Sequence, residues 1–493
     1  MTYTILDCYT DEAAGLGVPP YLGTYPRYIA GYLKEKSKDK INYITIDDLR
    51  YLNKYNCNIK EPRPSQKTNI FAYNLTKNAK NIKTILKETT QLIVVLGIHV
   101  PGKYLSAMPG TLHEIIPMIE NLKCKKILTG PAIFGTQLHG GKLREKQDLS
   151  VFDRVDHSMY RFSYDKIKDY AIKGASILKQ IPDIRMIEIE TGKGCDIGHC
   201  SFCTEPLKNR IAFRETEDIL AEIKEFYKLG ARYFRIGKQT CFYTLPKAAE
   251  LLKDINKACP DLKVLHIDNC NPVKVMIDHK KNNDKITKAI VKYCTSGNVA
   301  AFGVESFDIN VVRANTLNTR PQVAYDAIKV INKLGSTRGP DGLPKYIPGI
   351  NIIFGLRKEN KTTHKENMKW LKKIYDDNLY LRRINIRKAA IFEGTSLYEE
   401  GGDKFLKKNK RFYWKWRNDI RQEIDSPMLK RLTPIGTVLK NCYTEIYDGK
   451  TTFCRQFGTY PLIVGVKKRI PLKQFVDIKI TGHMLRSVTG EVV

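Results

Sequence analysis

"GCDIGHCSFC", residues 194–203, sets three thiols, Cys195, Cys200 and Cys203, close together in a chain of 493 residues with 12 cysteines. The N-terminal stretch MTYTILDCYTDEAAGLG has neither the basic start nor the long apolar core of a secretion signal, so the expected compartment is the reducing cytoplasm. There, a tight cysteine cluster binds metal or does chemistry more often than it closes a disulfide. A structural zinc ion takes four ligands, and no second CxxC pair stands nearby. His199 adjoins Cys200 and is badly placed to share a tetrahedron with it. Three thiolates without a fourth suit a cubane [4Fe-4S] cluster, in which one iron keeps a coordination position for a substrate or cofactor.

Upstream of the loop, the apolar runs TYTILDCY, INYITIDDL, QLIVVLGIHV and KKILTGPAIFG alternate with helical stretches near 26–36 and 76–90. Strands separated by helices predict an α/β fold that begins with a doubly wound, Rossmann-like sheet over residues 1–135. DEAAGLGVPPYLGTYPRYIAGYL gives a Gly/Pro-rich loop after the first strand, where open α/β sheets bind ligands, but no GxGxxG follows. Residues 136–183 are polar and predict a helical connector. From IRMIEIETGKGC the alternation restarts, with strands expected at MIEIE, YFRIG, VLHID, VAAFGVE, GINIIFG and INIRKAAIF. Six βα units over 184–400 predict a partial or closed parallel barrel, with its chemistry at the C-terminal ends of the strands.

The segment KFLKKNKRFYWKWR, residues 404–417, lies in a basic helical stretch over 401–429. Lys407, Lys408, Lys410 and Arg411 can neutralise phosphates while Trp414 and Trp416 stack on unpaired bases. The alternative is an amphipathic helix that packs Phe412, Trp414 and Trp416 on the barrel and leaves its lysines in water. Residues 430–493 read as short strands with glycine turns, a small C-terminal β-barrel. Lys plus Arg exceed Asp plus Glu by 83 to 52, a net charge of +31. That excess asks for a polyanion, nucleic acid first, or else serves as a solubilising surface. No apolar run reaches the roughly 18–20 residues of a membrane span, so no membrane partner is expected.

These motifs, in this order, resemble the radical SAM superfamily over residues 184–400. GCDIGHCSFC sits where that family carries its cysteine loop, with four residues instead of three between the first two thiols. RIGKQTCF falls where a GGE-type motif meets the methionyl amino group of S-adenosylmethionine, which implies that role for Gly237 and Gln239. FGVESFD is similar to the G-I/V-E/Q-S segment of the methylthiotransferase-like branch, implying Glu305 at the ribose hydroxyls with Ser306 beside it; Phe202 accompanies the last thiol. GINIIFGLRKEN resembles D-x-I-x-G-L-P-G-E, with Arg357 and Lys358 in place of Pro-Gly, and AAIFEGTSLY resembles P-x-x-G-T. The resemblance implies a partial (β/α)6 barrel, a [4Fe-4S] cluster on the three cysteines, S-adenosylmethionine cleaved to a 5'-deoxyadenosyl radical, and an electron donor such as a ferredoxin or flavodoxin.

FVDIKITGHMLRSVTGEVV resembles the end of a TRAM module, the RNA-binding barrel of tRNA methylthiotransferases, which implies an RNA partner with tRNA favoured. That family has three N-terminal cysteines for a second cluster, and Cys8, Cys57 and Cys124 are the thiols this chain offers there. Cobalamin-dependent members start with a doubly wound domain, but the D-x-H-x-x-G ligand motif is missing, and His99, His113 and His139 stand in other contexts. Neither a second cluster nor cobalamin is supported by sequence. DEAAGLGVPPYLGTYPRYIAGYL and RQFGTYPLIVGV link the chain to an uncharacterised archaeal group of radical SAM proteins. The expectation is a cytoplasmic transferase-type enzyme that modifies RNA by methylthiolation or a related insertion. The alternatives are a methylase or maturase acting on a protein or small molecule, and a non-enzymatic RNA-binding protein with a structural cluster.

Overall fold

The computed structural model describes all residues except 10–21, 59–74, 98–108, 135, 138–144, 160 and 183–185. The N-terminal strands β1 (Thr2–Asp7), β2 (Lys40–Thr45), β3 (Gln91–Val95) and β4 (Lys125–Thr129) precede a short hairpin of β5 (Thr136–Gln137) and β6 (Glu145–Lys146), then β7 (Arg154–Val155). They form a parallel sheet in the order β2-β1-β3-β4-β7. The strands are apolar at consecutive positions because both faces are covered. Leu6, Ile44, Leu92, Val94 and Leu128 pack on the helices Ile46–Tyr55, Ile82–Glu88 and Leu112–Ile119. Ile5, Tyr43, Ile93 and Ile127 instead join a core that runs through the helix Thr24–Lys36 into the rest of the molecule.

Two details differ from the sequence reading. INYITIDDL is strand only to Thr45, where a capping box starts a helix: the Thr45 N–H donates to Asp48 Oδ2 at 2.7 Å. The stretch read as a helical connector contributes β7 to the sheet before turning into the helix Tyr164–Gly174, which packs on Thr24–Lys36.

The second body starts at β8 (Ile187–Glu190) and continues, after the short antiparallel pair β9 (Gly192–Lys193) and β10 (Ala212–Phe213), through β11 (Tyr233–Gly237), β12 (Val264–Ile267), β13 (Asn269–Cys270), β14 (Asn298–Glu305), β15 (Tyr346–Phe354) and β16 (Ile384–Lys388). β8, β11 and β12 pair in parallel, as do β13 to β16; β12 and β13 are one crossing interrupted at Asp268. The result is an open, six-crossing parallel barrel. Along β14, Ala300, Phe302 and Val304 enter the core shared with the helices, so Val299, Ala301, Gly303 and Glu305 face the interior.

The chain ends in a closed five-stranded barrel of β17 (Val438–Asp448), β18 (Thr451–Arg455), β19 (Ile463–Val466), β20 (Phe475–His483) and β21 (Val488–Val492), ordered β17-β18-β19-β21-β20. Its β18–β19 loop plugs the N-terminal end of the larger barrel. Phe457 packs with Met186 and Val264, and Tyr460 with Val299 and Ala301. The Thr459 N–H donates to His266 Nδ1 at 2.9 Å, and His266 Nε2 donates to the Ser296 carbonyl at 2.9 Å. Burial pushes the His266 pKa down to about 4, so the ring is neutral and its tautomer is set by these two bonds. Among the described residues no helix is long and apolar enough to cross a membrane.

Gly458 lies at φ +150°, and a Cβ there would sit 2.6 Å from His266 Cε1. Gly458→Ala is expected to destabilise the docked plug by about 1–3 kcal/mol, read as a lower thermal unfolding midpoint and faster proteolysis of the C-terminal barrel.

Candidate active site

β8 ends at Glu190, and the next residue already fastens the cysteine loop to the neighbouring strand. The Thr191 N–H donates to the Gly237 carbonyl at 3.3 Å, and its hydroxyl donates to Gln239 Oε1 at 2.8 Å. Gly194 has φ +81°, and a Cβ there would be 2.6 Å from the Arg210 carbonyl, so the turn into the first thiol demands glycine. Its N–H donates to Glu205 Oε1 at 2.9 Å, and its carbonyl accepts from the Thr240 hydroxyl at 2.9 Å. Between the second and third thiols, the Ser201 hydroxyl donates to Asn315 Oδ1 at 2.7 Å and its carbonyl accepts from the Leu397 N–H at 2.8 Å. The loop is therefore pinned to segments that follow the second, fourth and sixth barrel crossings, all at their C-terminal ends.

Cys195, Cys200 and Cys203 are free and half-buried. Burial pushes the Cys200 thiol up to about 12, with Cys203, Glu305 and Cys195 adding to the shift. Cys203 is raised by burial too; the Glu205 N–H, 3.4 Å from its sulfur, opposes, and the charges of Glu205 and Cys195 reinforce. Raised thiols such as Cys200 and Cys203 would be converted to thiolates by a cationic group placed beside them. Among the described residues no three His, Cys, Asp or Glu side chains converge tightly enough to hold a single metal ion. His199 is exposed. A closed zinc site thus lacks its tetrahedron, whereas a cubane spreads its thiolates over separate irons, and the donor set fits it.

Around the loop, the interior is polar and partly unsatisfied. Gln239 Nε2, Asp268 Oδ1 and Glu305 Oε2 are buried atoms without a hydrogen-bond partner, near the C-terminal ends of β11 to β14. Buried polar atoms are rarely left so unless a ligand or water completes them. Glu305 takes φ +63° at a bulge where β14 slips against β15, and burial raises its carboxyl to about 8 against the opposing charge of Arg387. A Cβ on Gly237 would lie 3.3 Å from Asp268 Oδ2 and Glu188 Oε1, so this position is held close to two carboxylates. Arg235 is ion-paired with Glu188 beneath it.

The structure brings Cys195, Cys200, Cys203, Gly237, Gln239 and Glu305 to one end of the barrel. Phe202 packs half-buried against the core, and Ser306 is buried with its oxygen accepting the Asp308 N–H at 3.1 Å. Lys407, Lys408, Lys410 and Arg411 are exposed, and Trp414 is 75% exposed. Trp416 is not available for stacking on a base: it is buried between Phe412, His364 and Phe354. The reading of 404–417 as wholly packed or wholly free is replaced by a division along the helix.

The N-terminal cysteines do not meet. Cys8 follows the C-terminal end of β1, and Cys124 precedes the N-terminal end of the parallel β4, so about five residues of strand, roughly 17 Å, lie between their levels. Cys57 packs elsewhere, against Tyr51 and Ala79. His113 is exposed on the helix Leu112–Ile119; His99 and His139 lie outside the described residues. Asp268 and Asn315 were not singled out by sequence. Asp268 gives a signal, a carboxylate ending the apolar run VLHI; Asn315 gives none.

This arrangement is that of the radical SAM fold. The chain matches the solved structure of the radical S-adenosylmethionine methyltransferase TsrM from Kitasatospora setae with a TM-score of 0.51 and 12% identity, over 81% of this chain and 75% of that one. The protein belongs to the same family as the uncharacterised protein MJ0274 of Methanocaldococcus jannaschii, 40% identical over 99% of this chain and 93% of the relative. An uncharacterised protein of Archaeoglobus fulgidus is 36% identical over 99% of the chain and 90% of its own length. A putative methylthiotransferase of M. jannaschii, MJ0865, is 27% identical over 39% of the chain. No protein-family model matches.

Two outcomes are expected. Cys195→Ala, Cys200→Ala or Cys203→Ala should lose the iron and the visible absorbance of anaerobically reconstituted protein while far-UV circular dichroism is kept; full iron in any one variant removes that thiol from the ligand set. Glu305 binds its proton more tightly folded than unfolded, so its contribution to stability falls as pH rises from about 4.5 to about 8. Glu305→Gln should gain thermal stability over the parent at pH 8 and little at pH 4, measured by differential scanning fluorimetry.

Proposed function

We propose that this protein is a radical SAM enzyme that modifies RNA. The observation that carries the reading is the placement of three thiols on a loop pinned over unsatisfied polar atoms at the C-terminal mouth of the barrel. Cys195, Cys200 and Cys203 would hold a [4Fe-4S] cluster. Given one electron from a ferredoxin- or flavodoxin-class donor, the cluster supplies reductive cleavage of S-adenosylmethionine to methionine and a 5'-deoxyadenosyl radical. Glu305, largely protonated near neutral pH, is placed to exchange hydrogen bonds with ribose hydroxyls, and Gln239 presents its Nε2 donor at the same end of the barrel. Asp268 offers an acceptor deeper in the interior, suited to an N–H-bearing edge such as that of a nucleobase. The plug at the other end keeps water from the base of the chamber.

RNA is favoured as substrate by the +31 charge and by the exposed basic residues of 404–411, whose helix lies against the C-terminal end of β15. There, Gly355 touches Leu406, and Asn409 and Tyr413 donate to the Glu359 carboxylate at 3.3 and 2.8 Å. The basic segment thus rims the same end as the cysteine loop. Insertion of a sulfur-bearing group would be helped by a second cluster, and the separation of Cys8 from Cys124 speaks against one. Methyl transfer to RNA is therefore the second reading, favoured by that separation and by the fold likeness to TsrM.

Reconstituted protein given dithionite and S-adenosylmethionine should hold about four irons per chain and release 5'-deoxyadenosine. Small RNA incubated with it should show a mass change in one nucleoside. An intact cluster that yields no 5'-deoxyadenosine with or without RNA overturns the enzyme reading; turnover with no change in any RNA nucleoside overturns the substrate.

A further inference from the structure

The edge of β16 is closed by side chains rather than by a strand. Ile384 turns its backbone away from β15: its N–H donates to Asp425 Oδ1 at 3.2 Å and its carbonyl accepts from Arg421 at 2.6 Å, while Arg421 and Asp425 are ion-paired with each other. A π turn over Arg421–Asp425 brings both side chains to that edge. Further arginines gather about this pair. Arg486, from the β20–β21 loop, is pushed down to about 9 by burial and by the charges of Arg421, Arg383 and Arg417. Arg382 and Arg383 are pushed down to about 10, first by burial, then by Arg486 on the former and by Arg382, Arg387 and Arg421 on the latter. Arginines from three distant segments thus act on one another here, with Asp425 partnering the buried Arg421, while Arg417 and Arg486 stay exposed and open to an external anion.

The kind of anion is indicated by the same helix. Trp414 and Arg417 share one exposed face at i and i+3, and the Arg417 guanidinium lies 5.8 Å from the Trp414 ring. Trp414 is 75% exposed, while Tyr413 and Trp416 on the opposite side anchor the helix against Phe354. A bare indole beside guanidinium groups is the pairing that stacks unpaired bases and neutralises their phosphates. The arginines continue inward: Arg387, on β16, acts on Glu305 at the cysteine loop.

We propose that Trp414 with Arg417 and Arg486 is the entry track for single-stranded RNA, one base resting on the indole and successive phosphates on the two exposed arginines, leading to the barrel mouth. This rests on the reading of RNA as substrate and goes beyond it in naming the surface that takes the strand.

The test uses the full chain and a fluorescein-labelled single-stranded oligouridylate of about a dozen nucleotides, with anisotropy followed against sodium chloride. Trp414→Ala should weaken binding about tenfold with little change in salt dependence. Arg417→Gln combined with Arg486→Gln should reduce the log–log salt slope by about 1.4, two phosphate contacts being lost. Both arginines and Trp414 keep solvent contact, and the iron content of each variant reports that the fold is intact. Parent-like affinity and slope in iron-replete variants overturn the proposal. So does a parent-like Trp414→Ala together with full displacement of the probe by uridine monophosphate, which assigns the arginines to a small phosphorylated ligand. Binding is read without reductant, so a failure of S-adenosylmethionine cleavage leaves this result standing and the two readings fail separately.

Discussion

One enclosed carboxylate holds the two larger bodies of the molecule in register. Glu222, fully buried on the helix Thr216–Lys228, receives Arg27 from the N-terminal domain at 2.7 Å and Arg214 at 2.5 Å. Burial alone would raise its pKa; the two guanidinium groups outweigh it and keep the carboxyl below its ordinary range. Arg214 also donates to the Glu190 carbonyl at 2.9 Å, the last residue before the cysteine loop begins. The interface and the strand end that launches the thiols are thus set by one charge cluster. Truncating Glu222 would leave two buried cations uncompensated, at a cost of about 3–5 kcal/mol.

The two ends of the barrel are closed in different ways. At the C-terminal mouth, polar atoms are left open, two of them on carboxylates whose pKa burial raises, and backbone is bent at Glu305 and Gly194. At the base, Thr459, His266 and Ser296 form a chain of hydrogen bonds and the aromatic rings of the plug pack over the strand ends, with Asn298 Nδ2 and Gln456 Oε1 buried there without partners. Buried unpaired groups call for something to complete them, and at the mouth they gather at the same end as the three thiols, which marks that end as the place of binding.

Most of this plan could be read from the sequence because it rests on short-range signals. Apolar runs such as VAAFGVE and YFRIG map directly onto barrel strands, and the spacing of the three thiols fixes where the loop leaves β8. What escaped reading depends on partners distant in the chain. IDDL reads as the tail of a strand until Asp48 is seen capping the Thr45 N–H. Trp414 and Trp416 are equivalent by composition and differ only because one faces Phe354. The arginine cluster joins residues 382–387, 417–421 and 486, and QFGTYP becomes a plug only through a histidine some 190 positions earlier, at His266.

The plug also imposes an order on manufacture. Phe457 and Tyr460 emerge from the ribosome after every strand of the larger barrel, so during synthesis that barrel exists for a time with its floor missing and its inner carboxylates and arginines wet. The last tenth of the chain therefore closes the floor of a barrel whose six crossings have all been made before it.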